Sequence, residues 1–369
     1  METSGVSQWP IDSKERIFQK KYGSNFGCHK FDKVTILQTI FFLFIYLLQM
    51  WKRGSFNNVL LANISTVELC RRSTVSRKVT AATHHKFKVA AGLVPVTTLP
   101  LLEKGESKLV YYIDKGNNQD KPPLVLLAGT AQTIDTYTPH INQISKTRRL
   151  IIPELRGQGR TQLDPAQCTI EQQVFDLEKI LTGLGVQNIH LSGFSFGGRV
   201  ALAFAAHRPD MVSRLSLTAI PLVRPPLGKV VLESWMDGLK RGNMRECAWS
   251  FIINGYSNAF LTKNAERLSM YVDMVANSNE PSKVYQLMTQ SSKTFPGDVF
   301  SIPHCAGLIR CPTQVIGASE DRIAGLEPVK QLAAAIPHAQ YAEMKTGHLA
   351  PFEEPLVWRK HLMDFMNAP

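Results

Sequence analysis

Residues 186–208 constrain the fold of this chain more than any other stretch. The apolar run Ile189–Leu191 is typical of a short buried strand, Gly193–Gly198 (G-F-S-F-G-G) of a tight turn, and Val200–Ala206 of a helix of small residues. Glycines two positions before and after a serine let that serine adopt a strained backbone conformation, because side chains there would collide with the strand and the helix. The pattern predicts a sharp elbow that exposes the Ser195 hydroxyl at the top of a sheet, where a nucleophile acts.

Strands and helices alternate around this elbow. Further helices are predicted at Ile170–Leu184, Pro328–Ile336 and Pro355–Met366. Such alternation predicts an α/β fold with a mostly parallel sheet and helices on both of its faces. The other predicted strands are Val94–Leu102, Lys108–Ile113, Leu124–Ala128, Arg149–Glu154, Val212–Ala219, Thr313–Gly317 and Gln340–Met344.

Residues 222–308 interrupt the alternation, because they contain no strand-like pattern. Helical stretches rich in Met, Trp and Phe occur instead, at Val230–Leu239, Met244–Ile253 and Ala265–Met274. An insertion of this size between two strands predicts a helical cap that covers the mouth of a site and excludes water. The alternative is a set of helices packed elsewhere on the domain.

A serine hydroxyl needs a base within hydrogen-bond reach to become nucleophilic. Of the ten histidines, His348 is the one in a glycine-flanked loop after the last predicted strand, from which it can reach Ser195 at the sheet edge. An acid that orients the imidazole is expected between these two positions. Asp321, which follows the strand Thr313–Gly317, is the predicted acid, and the neighbouring Glu320 stays open as the alternative.

An oxyanion formed by attack of the serine needs two backbone N–H donors. Phe196, directly after the nucleophile, and Thr130, in the loop after the strand Leu124–Ala128, are the predicted donors. The six cysteines include no C-x-x-C pair and no close metal-ligand spacing. We therefore expect no metal and no organic cofactor.

Residues 1–90 differ in composition from the rest of the chain and are predicted to be a disordered basic and targeting segment. Val34–Trp51 is uncharged and long enough to span a bilayer core, which predicts a membrane anchor or an uncleaved targeting segment. Residues 55–90 hold six Lys/Arg and one acidic residue, Glu68, and resemble a transit peptide. Together they resemble a two-part plastid leader, so we expect membrane-associated or organellar localisation; the alternative for residues 55–90 is a basic linker near a membrane face.

The formal charge of +12 is concentrated at the start of the chain. Residues 1–100 hold 14 Lys/Arg and 5 Asp/Glu, whereas the remaining residues hold 28 and 25. A nearly neutral body argues against nucleic-acid binding, which requires a basic face. The expected partner is instead a small molecule, with an apolar acyl group suited to a Met-rich cap, together with membrane contact through residues 34–51.

Residues 124–368 resemble the α/β-hydrolase superfamily, in its serine-nucleophile branch. The resemblance rests on the elbow, on E-L-R-G-Q-G-R-T at 154–161, on G-A-S-E-D-R-I at 317–323 and on T-G-H-L-A-P-F-E-E-P at 346–355. It implies that residues 91–369 form one domain with an eight-stranded, mostly parallel sheet and a cap between the sixth and seventh strands. One departure concerns the oxyanion loop, where Ala128-Gly129 replaces the His-Gly of many members.

These features predict a serine hydrolase that cleaves a carboxylic ester or thioester through an acyl-enzyme. A C–C-bond-cleaving or pyruvate-eliminating enzyme is the first alternative, because Arg199, four residues after Ser195, resembles a carboxylate-binding arginine of 2-succinyl-6-hydroxy-2,4-cyclohexadiene-1-carboxylate synthase. The other interpretation of Arg199 is a salt-bridged helix residue. A non-catalytic binding protein on the same fold is the second alternative.

Overall fold

The computed structural model describes residues 97–103, 106–118, 120–293 and 295–369, and these residues form one eight-stranded sheet. The spatial order is β1-β2-β4-β3-β5-β6-β7-β8, with β2 antiparallel to both of its neighbours and all other pairs parallel. This confirms the predicted mostly parallel α/β sheet. The strands are β1 (Thr97–Glu103), β2 (Glu106–Lys115), β3 (Leu124–Leu127), β4 (Leu150–Pro153), β5 (Ile189–Phe194), β6 (Val212–Thr218), β7 (Thr313–Ala318) and β8 (Gln340–Met344).

Helices cover both faces of the sheet. Those of the sheet domain are α1 (Thr138–Ile144), α2 (Ile170–Gly183), α3 (Phe196–His207), α10 (Leu326–Ala335), α11 (Ala350–Glu353) and α12 (Pro355–Asn367). Those between β6 and β7 are α4 (Pro226–Lys240), α5 (Met244–Gly255), α6 (Asn258–Lys263), α7 (Leu268–Ser278), α8 (Pro281–Ser291) and α9 (Ile302–Leu308).

Two hydrophobic cores flank the central strands. In β3, Val125 and Leu127 face the core shared with α2, α3 and α10, whereas Leu124 and Leu126 face the core shared with α1 and α12. Side chains alternate between the two faces of a strand, so a strand covered on both faces is apolar throughout. This explains the uninterrupted apolar run in the sequence and holds the carboxyl ends of the strands rigidly.

The cap helices α4–α9 occupy the interval in which the sequence predicted them. A third core lies among them, where the Trp235 and Phe251 rings meet edge to face at a centroid distance of 4.1 Å. The stretch 265–274 differs from its prediction, because a short 3₁₀ turn at Ala265–Arg267 precedes α7.

The elbow is tighter than the sequence predicted. β5 continues to Phe194, which pairs with Thr218 of β6, and α3 begins at Phe196. A single residue, Ser195, therefore makes the whole turn between strand and helix.

The predicted membrane segment 34–51 and the predicted basic segment 55–90 lie outside the described residues. Within the residues that the structure describes, no helix combines the length and the apolarity needed to cross a membrane.

Candidate active site

Ser195 has the strained backbone that its glycine neighbours predicted. Its φ of 50° lies in the left-handed region, with ψ at −115°. A Cβ atom on Gly193 would lie 2.5 Å from the Gly198 Cα, and one on Gly197 would lie 2.5 Å from the Ala128 carbonyl oxygen. Only glycine fits at these two positions, so the sharp turn depends on both.

His348 connects the serine to an acid. The Ser195 Oγ and the His348 Nε2 are 2.8 Å apart, and the His348 Nδ1 is 2.8 Å from the Asp321 Oδ2. With a neutral imidazole protonated on Nδ1, the serine hydroxyl donates to Nε2 and Nδ1–H donates to the carboxylate. Both His348 and Asp321 are buried, which shields this chain of hydrogen bonds from water.

The structure places Asp321, not Glu320, against the imidazole. The second oxygen of Asp321, Oδ1, accepts hydrogen bonds from the N–H groups of Ile323 and Ala324, each at 2.8 Å. Two backbone donors hold the carboxylate in one orientation and stabilise its charge. Glu320 is half-buried, and its backbone N–H donates to the Thr346 carbonyl oxygen.

The loop that carries His348 is attached to the cap. Glu353 accepts hydrogen bonds from the N–H groups of Gly347 and Ser257, each at 3.0 Å, and from the Ser257 hydroxyl. The Leu349 N–H donates to the Gly255 carbonyl oxygen at 2.8 Å. Sequence reasoning missed Glu353, although it lies in the motif T-G-H-L-A-P-F-E-E-P, because its partner in the cap, Ser257, is 96 residues away in sequence.

His140 holds the same loop from the sheet side. Its Nε2–H donates to the Pro351 carbonyl oxygen at 2.9 Å, and its ring packs edge to face against Trp358. Burial lowers the pKa of His140 to about 4, an effect that the bond to Pro351 opposes and the charge of Arg359 reinforces. The side chain is therefore neutral at physiological pH and serves as a structural donor.

The two predicted oxyanion donors lie beside Ser195. Thr130 and Phe196 both line the cavity that Ser195 lines, and within the described residues neither N–H donates a hydrogen bond. The Phe196 N–H is the first of α3, where unpaired N–H groups and the helix dipole favour a negative charge. Both groups are thus available to an oxygen that becomes negative.

Two glutamines shape the loop that presents Thr130. The Gln132 Oε1 accepts from the Gly129 N–H at 2.9 Å, and the Gln158 Oε1 accepts from the Ala131 N–H at 3.0 Å. Ala131 has a φ of 58°, so the loop turns sharply after Thr130. Gln132 supplies an acceptor in a loop that lacks the His-Gly of many α/β hydrolases.

Ser195 lies where two cavities meet, and Thr130, Ser195 and Trp235 line both. The apolar chamber, of about 70 Å³, is bounded by His348 and mainly by aromatic and apolar side chains. The larger arginine cavity, of about 490 Å³, contains Arg199 and Arg224 in its wall. The aromatic and apolar residues that line the apolar chamber include Trp235, Phe251, Tyr256, Tyr271, Met274 and Phe352.

Arg199 has no ion pair with any described residue, which differs from the salt-bridge interpretation. Its Nη1 donates to the carbonyl oxygen of Ser291 at the end of α8. Burial lowers the pKa of the Arg199 guanidinium, although the charge of Asp298 acts in the opposite direction. Among the described residues, no cluster of His, Cys, Asp and Glu could hold a metal ion.

A family model described as the alpha/beta hydrolase fold matches residues 122–355. The match covers more than half of the chain, so the chain belongs to the α/β hydrolase family and is an enzyme of that family. The elbow and the loops that carry Asp321 and His348 all lie within the matched range.

Two curated proteins and a solved structure are similar to this chain. A pyrrolizixenacetamide deacetylase of Xenorhabdus hominickii is 28% identical over 68% of this chain and 91% of that protein. A 2-hydroxy-6-oxononadienedioate/2-hydroxy-6-oxononatrienedioate hydrolase of Paraburkholderia phymatum is 25% identical over 72% of this chain and 94% of its own length. The structure of the enol-lactonase from Burkholderia xenovorans matches 73% of this chain and 100% of its own, at 20% identity and a TM-score of 0.64.

Proposed function

We propose that the protein is a serine hydrolase that cleaves a carboxylic ester or thioester through an acyl-enzyme. The observation that carries the proposal is the continuous hydrogen-bonded chain from the Ser195 Oγ through His348 to Asp321, with 2.8 Å at each step. The similarity to a deacetylase supports cleavage of an acyl bond.

In the first half of the reaction, the Ser195 Oγ attacks the substrate carbonyl carbon while the His348 Nε2 takes the hydroxyl proton. The Asp321 carboxylate stabilises the imidazolium that forms. The negative charge that develops on the carbonyl oxygen is stabilised by the N–H groups of Thr130 and Phe196.

Collapse of this intermediate breaks the bond between the carbonyl carbon and the leaving oxygen or sulfur, and Nε2–H gives the leaving atom its proton. In the second half, His348 removes a proton from water as the water oxygen attacks the acyl-enzyme. The bond to the Ser195 Oγ then breaks, the serine recovers its proton, and the carboxylic acid leaves. The reaction consumes one water and needs no cofactor.

The test combines covalent labelling with a substrate panel. The full chain is treated with a fluorophosphonate probe, and acid release from ethyl esters and S-ethyl thioesters of graded acyl length is followed by titration. We expect modification at Ser195 and turnover that the probe abolishes, with Ser195→Ala as the matched control. Folded protein that is neither labelled nor active would indicate a binding protein, and carbon–carbon cleavage or pyruvate release without ester turnover would favour the first alternative.

A further inference from the structure

The two cavities that meet at Ser195 differ in the charge of their walls. The apolar chamber presents mainly aromatic and aliphatic side chains, whereas the arginine cavity contains two guanidinium groups. A substrate held across Ser195 places one part in each cavity. The chemistry of each cavity wall therefore indicates the chemistry of the part of the substrate that it contacts.

Arg224 lies in the wall of the arginine cavity. It lies between β6 and α4, is half-buried, and makes no hydrogen bond or ion pair with any described residue. Burial lowers the pKa of its guanidinium, the positive charge of Arg199 lowers it further, and Asp321 acts in the opposite direction. A partly desolvated and unpaired cation is costly, so this wall is stabilised when an anion enters the cavity.

Arg199 reinforces the positive charge of the same wall. Its Nη1 donates to the Ser291 carbonyl oxygen, but its Nε is buried and has no hydrogen-bond partner in the described part of the chain. The other charged residues that line the cavity, Lys229 and Glu233, are exposed, have opposite signs and lie one turn apart on α4. Asp298 and Asp321 act on the two half-buried cations only through space, because neither arginine forms an ion pair with a described residue.

The position of His348 indicates which cavity binds the leaving group and which binds the acyl chain. The leaving atom receives its proton from the His348 Nε2, and His348 lines the apolar chamber but is not among the described residues that line the arginine cavity. The leaving alcohol or thiol therefore occupies the chamber, whose volume of about 70 Å³ suits a small apolar group. This orientation would direct the acyl chain into the arginine cavity, whose volume is about 490 Å³.

We propose that Arg224 and Arg199 bind a carboxylate at the far end of the acyl chain. The substrate class is then a half-ester, or half-thioester, of a dicarboxylic acid with a small apolar alcohol or thiol. Guanidinium groups pair with carboxylates through two parallel hydrogen bonds, which fix both the orientation and the charge of the acyl chain. This inference rests on the proposed hydrolase function and adds the identity of the acyl group.

The test compares two esters that differ only at the end of the acyl chain. Monoethyl adipate has a carboxylate where ethyl hexanoate has a methyl group, and acid release by the full chain is titrated for both. A hydrogen-bonded charge contributes about 1.5–3 kcal/mol, so kcat/KM for the half-ester should exceed that for the neutral ester by roughly 10- to 100-fold. Half-esters of longer and shorter diacids locate the optimal chain length.

Three substitutions separate recognition from general damage, because the ratio of the two kcat/KM values cancels any loss common to both esters. Arg224→Gln should lower the ratio about tenfold or more, and Arg224→Lys should restore part of it. Lys240→Gln removes the same charge from an exposed position on α4 that lines neither cavity, and it should change the ratio less than about twofold. Arg224 makes no hydrogen bond or ion pair with the part of the chain that the structure describes, so its variants are expected to fold.

Two results overturn the proposal and leave ester hydrolysis intact. The first is a wild-type kcat/KM for ethyl hexanoate that equals or exceeds the kcat/KM for every half-ester. The second is an Arg224→Gln variant in which the ratio of the two kcat/KM values is unchanged. A folded wild-type chain that hydrolyses neither ester and is not labelled at Ser195 overturns the hydrolase function itself, and this inference with it.

Discussion

The edge of the sheet and the wall of the arginine cavity differ in how many of their polar side-chain atoms are hydrogen-bonded within the protein. At the sheet edge, Ser195, His348 and both oxygens of Asp321 have hydrogen-bond partners within the protein. In the cavity wall, neither the Arg199 Nε nor the Arg224 guanidinium makes a hydrogen bond to a described residue. The groups at the sheet edge are thus held in place by the fold, whereas the proposed carboxylate site has donors that no described residue occupies.

The difference has a structural origin. The reactive groups lie at the ends of strands with a core on each face, so small displacements are opposed by close packing. The cap helices that complete the cavities pack on a smaller core of their own around Trp235 and Phe251. We expect substitutions at the sheet edge to affect chemistry, and those on the cap side to affect selectivity.

The largest effect should come from removing the nucleophile or the base. Ser195→Ala and His348→Ala should each lower kcat/KM for ethyl esters by on the order of 10⁴-fold or more, with little change in thermal unfolding followed by circular dichroism. Ser319→Ala, an exposed serine near the acid, is the control and should retain activity within about twofold. Activity that survives Ser195→Ala would show that the sheet edge is not the reactive region.

The acid should give the next largest effect. Asp321→Asn should lower kcat on the order of 10³- to 10⁴-fold, because an amide cannot hold the imidazole tautomer or stabilise its charged form. Glu320→Gln should change kcat by less than about twofold, since its side chain lies outside the hydrogen-bonded chain. The reverse pattern in steady-state assays would assign the acid to Glu320.

A third prediction concerns the loop that His140 holds. The pKa of His140 is lowered to about 4 from 6.5 by burial, so between these values the unfolded chain binds a proton and the folded chain does not. Stability is therefore fully present above about pH 6.5 and declines as the pH falls towards 4, by at most about 3 kcal/mol from this residue.

His140→Gln keeps a donor near the Nε2 position and removes the titration. Urea unfolding at about pH 7 and about pH 4.5 should show a smaller loss of stability on acidification in this variant. Some loss should remain, because burial and the charge of Arg148 also lower the pKa of His190 to about 4. An equal loss in wild type and variant would contradict the assignment.

The smallest expected effect is a difference in the free energy of unfolding between Phe variants of two buried tryptophans, Trp358 and Trp235. The Trp358 Nε1–H donates to the Thr218 Oγ1 at 3.0 Å, whereas the Trp235 Nε1 in the cap has no hydrogen-bond partner among the residues that the structure describes. Replacement by Phe removes the same atoms from both, but only Trp358→Phe leaves an unpaired partner behind. Denaturant unfolding should show Trp358→Phe to be less stable than Trp235→Phe by about 1–3 kcal/mol, and equal values would remove the contrast in hydrogen bonding.

The sequence alone was sufficient to predict the features that depend on steric contacts between neighbouring residues. Gly193 and Gly197 could be interpreted because a tight strand–helix turn has few solutions, and the structure shows that a Cβ atom at either position would collide with backbone. The α/β fold class could likewise be predicted from the apolar run in β3 and from the alternation of strands with helices. The length of the turn was overestimated, because the pairing of Phe194 with Thr218 extends the strand to the serine.

Only the tertiary structure decided between neighbouring candidates for the same contact. The sequence favoured Asp321 as the acid and left Glu320 open, and in the structure the backbone N–H groups of Ile323 and Ala324 orient Asp321 towards His348. The contact of Glu353 with Ser257 and the burial of Arg224 without an ion pair among the described residues could not be predicted either, since each depends on how distant elements pack. Steric limits on a turn act between neighbouring residues, whereas the pairing or isolation of a charge depends on the whole fold.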